Sequence, residues 1–198
     1  MPDESPISTD GAPEPSLTSR RSRRGARAVV EWILILVVAV LVSFLVRTYA
    51  FQTFFIPSGS MEPTLMVGDR IVVDKLSVDF GAIHRGDILV FKSPPAENCG
   101  GPPVADLVKR VIGLPGDQLT SKGNTIYVNG HPFDEKWTHT EPLGPAIGNV
   151  TVPANHYFMM GDNHSDSCDS RSWGPITRSE IIGKAFIRIW PISRIGAL

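Results

Sequence analysis

The sequence predicts a mainly β protein, in which an antiparallel β-sheet domain follows a single N-terminal transmembrane helix. Three observations support this prediction. One long apolar run lies near the N-terminus, and no later segment keeps a helical period over three turns. Beyond residue 50, short β-branched or apolar runs are bounded by Gly, Pro and Asp, as strands joined by turns are. The 18 glycines and 17 prolines also favour a turn-rich β protein over a helical one.

We expect residues 1–24 to form a disordered cytoplasmic tail that ends in an arginine cluster. The segment up to about Ser19 consists largely of Pro, Ser, Asp, Glu and Gly, and it lacks the apolar surface that would offset its chain entropy. Five arginines follow closely: Arg20, Arg21, Arg23, Arg24 and Arg27. The whole chain carries a net charge of −1, which gives no reason to expect nucleic acid as a partner.

Residues 25–50 are predicted to form a transmembrane anchor. The stretch from Trp32 to Val46 contains one polar residue, and with its apolar flanks it reaches the about 20 residues that cross ~30 Å of hydrocarbon. Basic flanks stay in the cytoplasm, so residues 51–198 are expected outside the cell membrane. A secretory signal cleaved after Ala50 is the alternative. An arginine between the apolar run and that site, together with the long preceding tail, favours a retained, single-pass anchor.

The exported region is predicted to consist of short strands and loops. Strands are expected at 71–73, 88–91, 107–112, 125–128, 156–160 and 181–190. Asn129-Gly130 predicts a two-residue hairpin turn. The Pro- and Gly-rich stretch 94–103 and the stretch 139–151 are predicted loops.

The first candidate for chemistry is the turn around Ser60. Pro57 and Pro63 restrict the backbone, while the glycine between Ser58 and Ser60 allows a close approach. Such a turn holds hydroxyl groups at fixed positions. Ser60 lies 14 residues beyond the apolar run, so a reactive hydroxyl here would sit at a membrane surface. An ordinary surface turn is the alternative.

A serine nucleophile needs a base, because its hydroxyl is almost wholly protonated at neutral pH. Histidine is the usual partner, and a Ser-His-Asp triad stays open although no histidine lies in a stretch that looks preorganised. The five histidines are His84, His131, His139, His156 and His164.

Lys109 is the other candidate base. It stands next to Arg110 in an apolar predicted strand, and the alternation of side chains places the two cations on opposite faces. Burial lowers the pKa of a lysine toward the range that a general base requires, whereas arginine stays charged. The alternative is that both cations reach solvent from a strand edge.

The third candidate is the polar loop from Gly161 to Arg171. Its many short polar side chains are typical of a loop held by local hydrogen bonds. Calcium binding is an alternative, although the spacing of the ligands does not match an EF-hand. The side chains that would bind calcium are Asp162, Asn163, Asp166 and Asp169.

Behind one anchor, these three segments resemble the bacterial type I signal peptidases (leader peptidases) over about residues 25–195. The resemblance is carried by Pro57-Ser58-Gly59-Ser60-Met61, by Lys109–Asp117, and by Gly161-Asp162-Asn163 with Ser167, Asp169, Ser170 and Arg171. It implies a mainly antiparallel β-sheet catalytic domain. It also implies a membrane-anchored serine endopeptidase that removes signal peptides from exported preproteins by cleaving after a small residue.

The resemblance further implies the roles of individual residues. Ser60 would be the nucleophile and Lys109 the general base of a Ser-Lys dyad. The Ser58 hydroxyl and the backbone N–H of Ser60 would form the oxyanion hole. Ser167 would orient the lysine amine, and Asp169 and Arg171 would hold the loop as a structural pair. Four residues would line shallow apolar pockets for the substrate: Phe54, Ile56, Pro57 and Val108.

The resemblance implies neither a metal nor any other cofactor. The expected partners are the signal peptides of exported preproteins and the lipid bilayer, and a position near the secretion translocon stays open. His164 departs from the family pattern, which often has arginine there. Only one anchor is visible, whereas some family members have two.

Both cysteines lie in the exported region, where disulfides persist. Cys99 falls in the loop before the Lys109 strand, and Cys168 follows Ser167. Our hypothesis is a Cys99–Cys168 disulfide that ties these two parts of the site together, with two free thiols as the alternative.

Three rival functions remain. A self-cleaving repressor of the same Ser-Lys class would need a DNA-binding segment, and the chain has an anchor instead. A non-catalytic membrane-tethered β domain would bind peptides or scaffold an export assembly. A sorting or transport accessory protein is the third. The non-catalytic proteins would tolerate the loss of Ser60 and Lys109.

Overall fold

A computed structural model of the chain describes residues 18–97, 100, 104–138 and 142–198. The chain divides into two compact units, Met1–Phe44 and Leu45–Leu198. The predicted disordered tail falls largely outside the described residues. Its last part, residues 18–24, is helical. The reason is that arginine is a good helix former, and a helix already formed by the following residues extends at little cost.

The first helix, α1, spans Thr18–Tyr49. Within it, the 18 residues Arg27–Phe44 have a mean hydropathy of 2.3, and none of them is buried in the protein. In the described part of the chain this is the one helix long and apolar enough to cross a membrane. Exposed apolar side chains around a whole helix favour a lipid environment over water, which supports the predicted anchor.

The second unit is an antiparallel β structure with two short helices, α2 at Leu76–Phe80 and α3 at Ser170–Trp173. In chain order the strands are β1 Phe51–Phe55, β2 Arg70–Asp74, β3 Ile88–Lys92, β4 Asp106–Gly113, β5 Gln118–Lys122, β6 Thr125–Val128, β7 His131–Pro132, β8 Val150–Thr151, β9 His156–Met160, β10 Ile176–Thr177, β11 Ile181–Trp190 and β12 Gly196–Ala197.

The described strands form two sheets. The larger has the order β1-β2-β11-β3-β4-β9-β10, with β12 paired to β11, and the smaller has the order β7-β6-β5-β8. Neighbouring strands are antiparallel throughout these sheets. The predicted fold class is therefore confirmed, and each of the six predicted strands is present.

The predicted hairpin is also present. Asn129 and Gly130 have φ angles of 53° and 81°, as a type I′ turn requires, and they join β6 to β7. Five strands were not predicted: β1, β5, β8, β10 and β12. Strand β5 is polar at four of its five positions, and it forms because its backbone pairs with both β6 and β8.

Strand β4 of the larger sheet carries Lys109, and it is followed in the chain by β5 of the smaller sheet. Its residues Asp106–Arg110 pair with β3, and its residues Arg110–Gly113 pair with β9. At Gly113 an added Cβ would lie 2.7 Å from the Leu119 side chain and 2.9 Å from that of Phe158. A glycine is therefore needed where the smaller sheet packs on the larger one.

Candidate active site

The turn that carries Ser60 is fixed by its apolar neighbours. Gly59–Met61 form one 3-10 turn, and Ile56 and Met61 are buried in the core beside Leu65. The backbone of Ile56 closes the loop that contains this turn. Its N–H donates to the Asp69 carbonyl, and its carbonyl accepts from the Gly68 N–H. The buried side chains hold the turn in place, and Ser60 itself stays half-buried at its surface.

Lys109, on strand β4, contacts Ser60. The distance from Lys109 Nζ to Ser60 Oγ is 2.6 Å, and Lys109 is only 3% exposed. Burial lowers the pKa of Lys109 from 10.5 to about 8. The carboxylate of Asp169 acts against this change and the guanidinium of Arg171 acts with it. The pair is thus an amine that readily loses its proton, hydrogen-bonded to a serine.

Arg110, on the opposite face of β4, is also buried. Its Nε and Nη2 donate to the two carboxylate oxygens of Asp162 at 2.8 and 2.7 Å, and its Nη1 donates to the Gly86 carbonyl. Its guanidinium lies 4.4 Å from the centre of the Trp137 ring. Neither cation is exposed, which rules out the alternative that both reach solvent from a strand edge.

The loop Gly161–Arg171 is held by a second arginine–carboxylate pair. Arg171 donates to both oxygens of Asp169, at 2.8 Å from Nε and 2.7 Å from Nη2. Asp169 also accepts from the Ser167 hydroxyl at 2.7 Å and from the Gly161 N–H at 3.2 Å. Because Asp162 and Asp169 are engaged by arginines, the calcium alternative loses two of its four ligands.

The predicted role of Ser167 stays a prediction. Its hydroxyl donates to Asp169, and the Asp169 carboxylate raises the pKa of Lys109 more than any other negative charge does. The hydroxyl of Ser167 therefore bonds to a carboxylate whose charge acts on Lys109, while the amine of Lys109 donates a hydrogen bond to Ser60.

Sequence reasoning missed the part played by Asn163. Its backbone N–H donates to the Ser60 carbonyl at 3.1 Å, and its side-chain amide donates to the Gly59 carbonyl at 3.2 Å. Two successive carbonyls of the Ser60 turn are therefore held by one residue. Asn163 is part of the third motif, but its partner Gly59 lies 104 positions earlier, and no local pattern indicates that the two residues pair.

A cavity of about 680 Å³ opens beside the pair. It is lined by Ser60 and Lys109 and by all four residues predicted to form apolar pockets: Phe54, Ile56, Pro57 and Val108. Ser58 also lines it, in an extended conformation, with its Oγ 3.5 Å from Ser60 Oγ. The cavity thus has an apolar wall and two hydroxyl groups next to the buried amine.

The histidine alternative receives no support from this geometry. Among the histidines within the described ranges, none hydrogen-bonds to Ser60; His164, for example, is buried with its Nε2 3.3 Å from Glu135 Oε1. His156 bonds to the Ala154 carbonyl. His139 lies outside the described residues.

Comparison with known proteins assigns the family. Residues 29–190 match the family described as signal peptidase, peptidase S26. This chain belongs to that family. A signal peptidase I of Leptolyngbya laminosa is 36% identical over 100% of this chain and 97% of its own length. A signal peptidase I of Bacillus caldolyticus is 35% identical, over 91% of this chain and 98% of its own length.

A solved signal peptidase I from Enterococcus faecalis is 28% identical and covers 52% of this chain and 96% of its own, with a TM-score of 0.44. The sequence matches alone show the family, and they confirm the resemblance drawn from the three segments.

The cysteines of this signal peptidase family member are described in part. Cys168 lines the cavity and is disulfide-bonded. Cys99 lies outside the described residues, so its pairing with Cys168 stays a prediction.

Replacing Gly161 with alanine tests how tightly the site is packed. An added Cβ would overlap both the Ser167 hydroxyl and the Ser60 carbonyl, so Gly161→Ala should push the Ser60 turn away from Lys109. We expect a loss of peptidase activity of about 100-fold, the effect of a displacement near 1 Å. The control is Gly148→Ala, where an added Cβ meets no described atom within 4 Å. Equal activity in both variants would contradict the packing argument.

Proposed function

We propose that this chain is a membrane-anchored signal peptidase I. It removes N-terminal signal peptides from exported preproteins by cleaving after a small residue. Ser60 acts as the nucleophile and Lys109 as the general base. The observation that carries the proposal is the 2.6 Å separation between a buried lysine amine and a serine hydroxyl, in a chain that belongs to the signal peptidase family.

The first half of the reaction forms an acyl-enzyme. The neutral amine of Lys109 accepts the Ser60 hydroxyl proton as Oγ attacks the scissile carbonyl carbon. The resulting oxyanion is stabilised by the Ser58 hydroxyl and the Ser60 backbone N–H, because such donors act where the charge develops. The Lys109 ammonium then gives its proton to the leaving amine, and the peptide bond breaks.

The second half regenerates the enzyme. Lys109, neutral again, takes a proton from a water molecule, which attacks the ester carbonyl and displaces Ser60 Oγ. The signal peptide leaves with a new carboxylate, and Ser60 recovers its proton from the lysine. Each proton that enters the amine leaves it again, so one group serves as base and acid in both halves.

The cavity supports an extended peptide as substrate. The Asp106–Lys109 part of β4 pairs with β3 on one edge, and β9 joins its other edge from Arg110 onward. Along Asp106–Lys109, the edge of β4 that faces away from β3 pairs with no described strand and borders the cavity. A peptide in an extended conformation can therefore form backbone hydrogen bonds with this edge. The apolar wall then receives the small side chains of the cleavage site.

The anchor supplies the location. The arginine cluster before Arg27–Phe44 favours a cytoplasmic N-terminus, which places the second unit on the outer side of the cell membrane. A signal peptide has its apolar core in the bilayer and its cleavage site just outside. An enzyme joined to the same bilayer by α1 meets that site without extracting it, in a position that suits proximity to the translocon.

The cleavage assay compares purified full-length variants in detergent micelles on one preprotein. We expect Ser60→Ala and Lys109→Ala to lose at least about 100-fold in activity, because each removes a group that takes part in bond making. Lys109→Arg should fail equally, since arginine does not release its proton. The control is Lys122→Ala, an exposed cation on β5. A non-catalytic tethered domain would bind the preprotein equally well in all variants and cleave it in none.

The pH profile tests the lysine separately. Only the neutral amine accepts a proton, so kcat/KM should fall about tenfold per pH unit below the pKa of Lys109, which is about 8 in the folded protein. The activity therefore rises as the pH rises through 8 and then levels off. Two different preproteins should give the same midpoint. A midpoint near 6.5 would instead indicate a histidine base and contradict the assignment.

A further inference from the structure

A segment that contributes no residue to the lining of the cavity lies against the loop that holds the Ser60 turn. This 133–138 segment follows β7 and carries Phe133, Glu135, Trp137 and Thr138. Phe133 and Trp137 pack on the core of the smaller sheet, with their ring centres 5.8 Å apart. The segment therefore has a rigid base of its own, from which its polar side chains reach the loop.

Thr138 and Glu135 contact the residues on either side of Asn163. The Thr138 hydroxyl donates to the Asp162 carbonyl at 2.7 Å. Glu135 Oε1 lies 3.3 Å from His164 Nε2, and both side chains are buried, at 9% and 3% exposure. Asn163 sits between these two contacts and bonds to the Gly59 and Ser60 carbonyls. Contacts to its two neighbours thus limit how far Asn163 can move away from the turn.

Trp137 adds a third contact through Arg110. The indole ring lies beside the guanidinium, which is bonded to both oxygens of Asp162. An arginine stacked on an aromatic face and paired with a carboxylate has little freedom to move. The side chain and the backbone carbonyl of Asp162 are thereby both held, the first by Arg110 and the second by Thr138.

We propose that Thr138 is a positioning residue for the reaction. It fixes the backbone at Asp162, and through Asn163 it sets the place of Ser60 relative to Lys109. The inference rests on the proposed function, because it concerns the geometry of the same Ser60–Lys109 pair. Thr138 is not among the residues that line the cavity, and its effect passes through Asp162 and Asn163.

The expected effect is on the rate of the chemical step. A proton passes between Ser60 Oγ and Lys109 Nζ only at hydrogen-bonding distance. The substrate contacts at Phe54, Ile56, Pro57 and Val108 lie on β1, on the following turn and on β4, away from the 133–138 segment. Loss of the Thr138 hydroxyl should therefore lower kcat and leave KM unchanged.

The test measures kcat and KM of full-length variants in detergent micelles with one preprotein. Thr138→Val keeps the side-chain shape and removes the hydroxyl, and we expect its kcat to fall about 10-fold to 100-fold. Thr138→Ser restores the donor and should recover most of the activity. The matched control is Thr125→Val, at an exposed position of β6, which should retain the wild-type kcat. Thermal unfolding of each variant measures the folded fraction at the assay temperature.

A double-mutant cycle with Asn163→Ala decides whether Thr138 acts through Asn163. If it does, Thr138→Val causes no further loss in the Asn163→Ala background. Losses that multiply would overturn the proposal, as would wild-type kcat in Thr138→Val or a loss explained by the unfolded fraction. The proposed function fails in a different way, namely when the wild type does not cleave or Ser60→Ala still does.

Discussion

The site depends on a hydrogen bond between an amine that is kept out of water and a hydroxyl that is held against it. Burial makes the proton of Lys109 easy to lose, and this has a consequence for stability. The pKa of Lys109 is about 8 when folded and 10.5 as an ordinary lysine, so between these values the unfolded chain binds more protons. The free energy of unfolding therefore rises with pH from 8 to 10.5. Below pH 8 the burial of this amine lowers the stability of the domain in full.

Three buried cations lie around the loop: Lys109, Arg110 and Arg171. Their hydrogen-bond partners differ, and this difference explains why Lys109 is the one that can act as a base. Arg110 is bonded to Asp162 and Arg171 to Asp169, and the guanidinium group stays charged in any case. Lys109 bonds to a hydroxyl, which stabilises its charge much less than a carboxylate does. Asp169 is close enough to raise the pKa of Lys109 but is itself paired with Arg171. The arginines thus neutralise the carboxylates that would otherwise raise the pKa of Lys109 and keep it protonated.

Much of the fold could be predicted because it is encoded locally. Val- and Ile-rich runs such as Ile88–Phe91 form strands, and Asn129-Gly130 forms a hairpin turn, from preferences of neighbouring residues. Their local settings made Ser60 and Lys109 candidates, and the resemblance of the three segments to the signal peptidases implied that they act as a pair. Strand β5 could not be predicted, because its residues are mostly polar and its strand conformation depends on backbone pairing with β6 and β8. The roles of Asn163 and Thr138 depend on segments that meet only after folding, so no local pattern indicates them.

The most direct measurement is the titration of the Lys109 side chain itself. NMR of the full-length protein in micelles, with lysine labelled with carbon-13 at Cε, follows each amine with pH, and Lys109→Arg identifies the signal of interest. We expect this signal to titrate with a pKa of about 8. A signal that titrates at the ordinary value near 10.5 would contradict it, because the amine would then be solvated and charged at the pH where the enzyme must accept a proton.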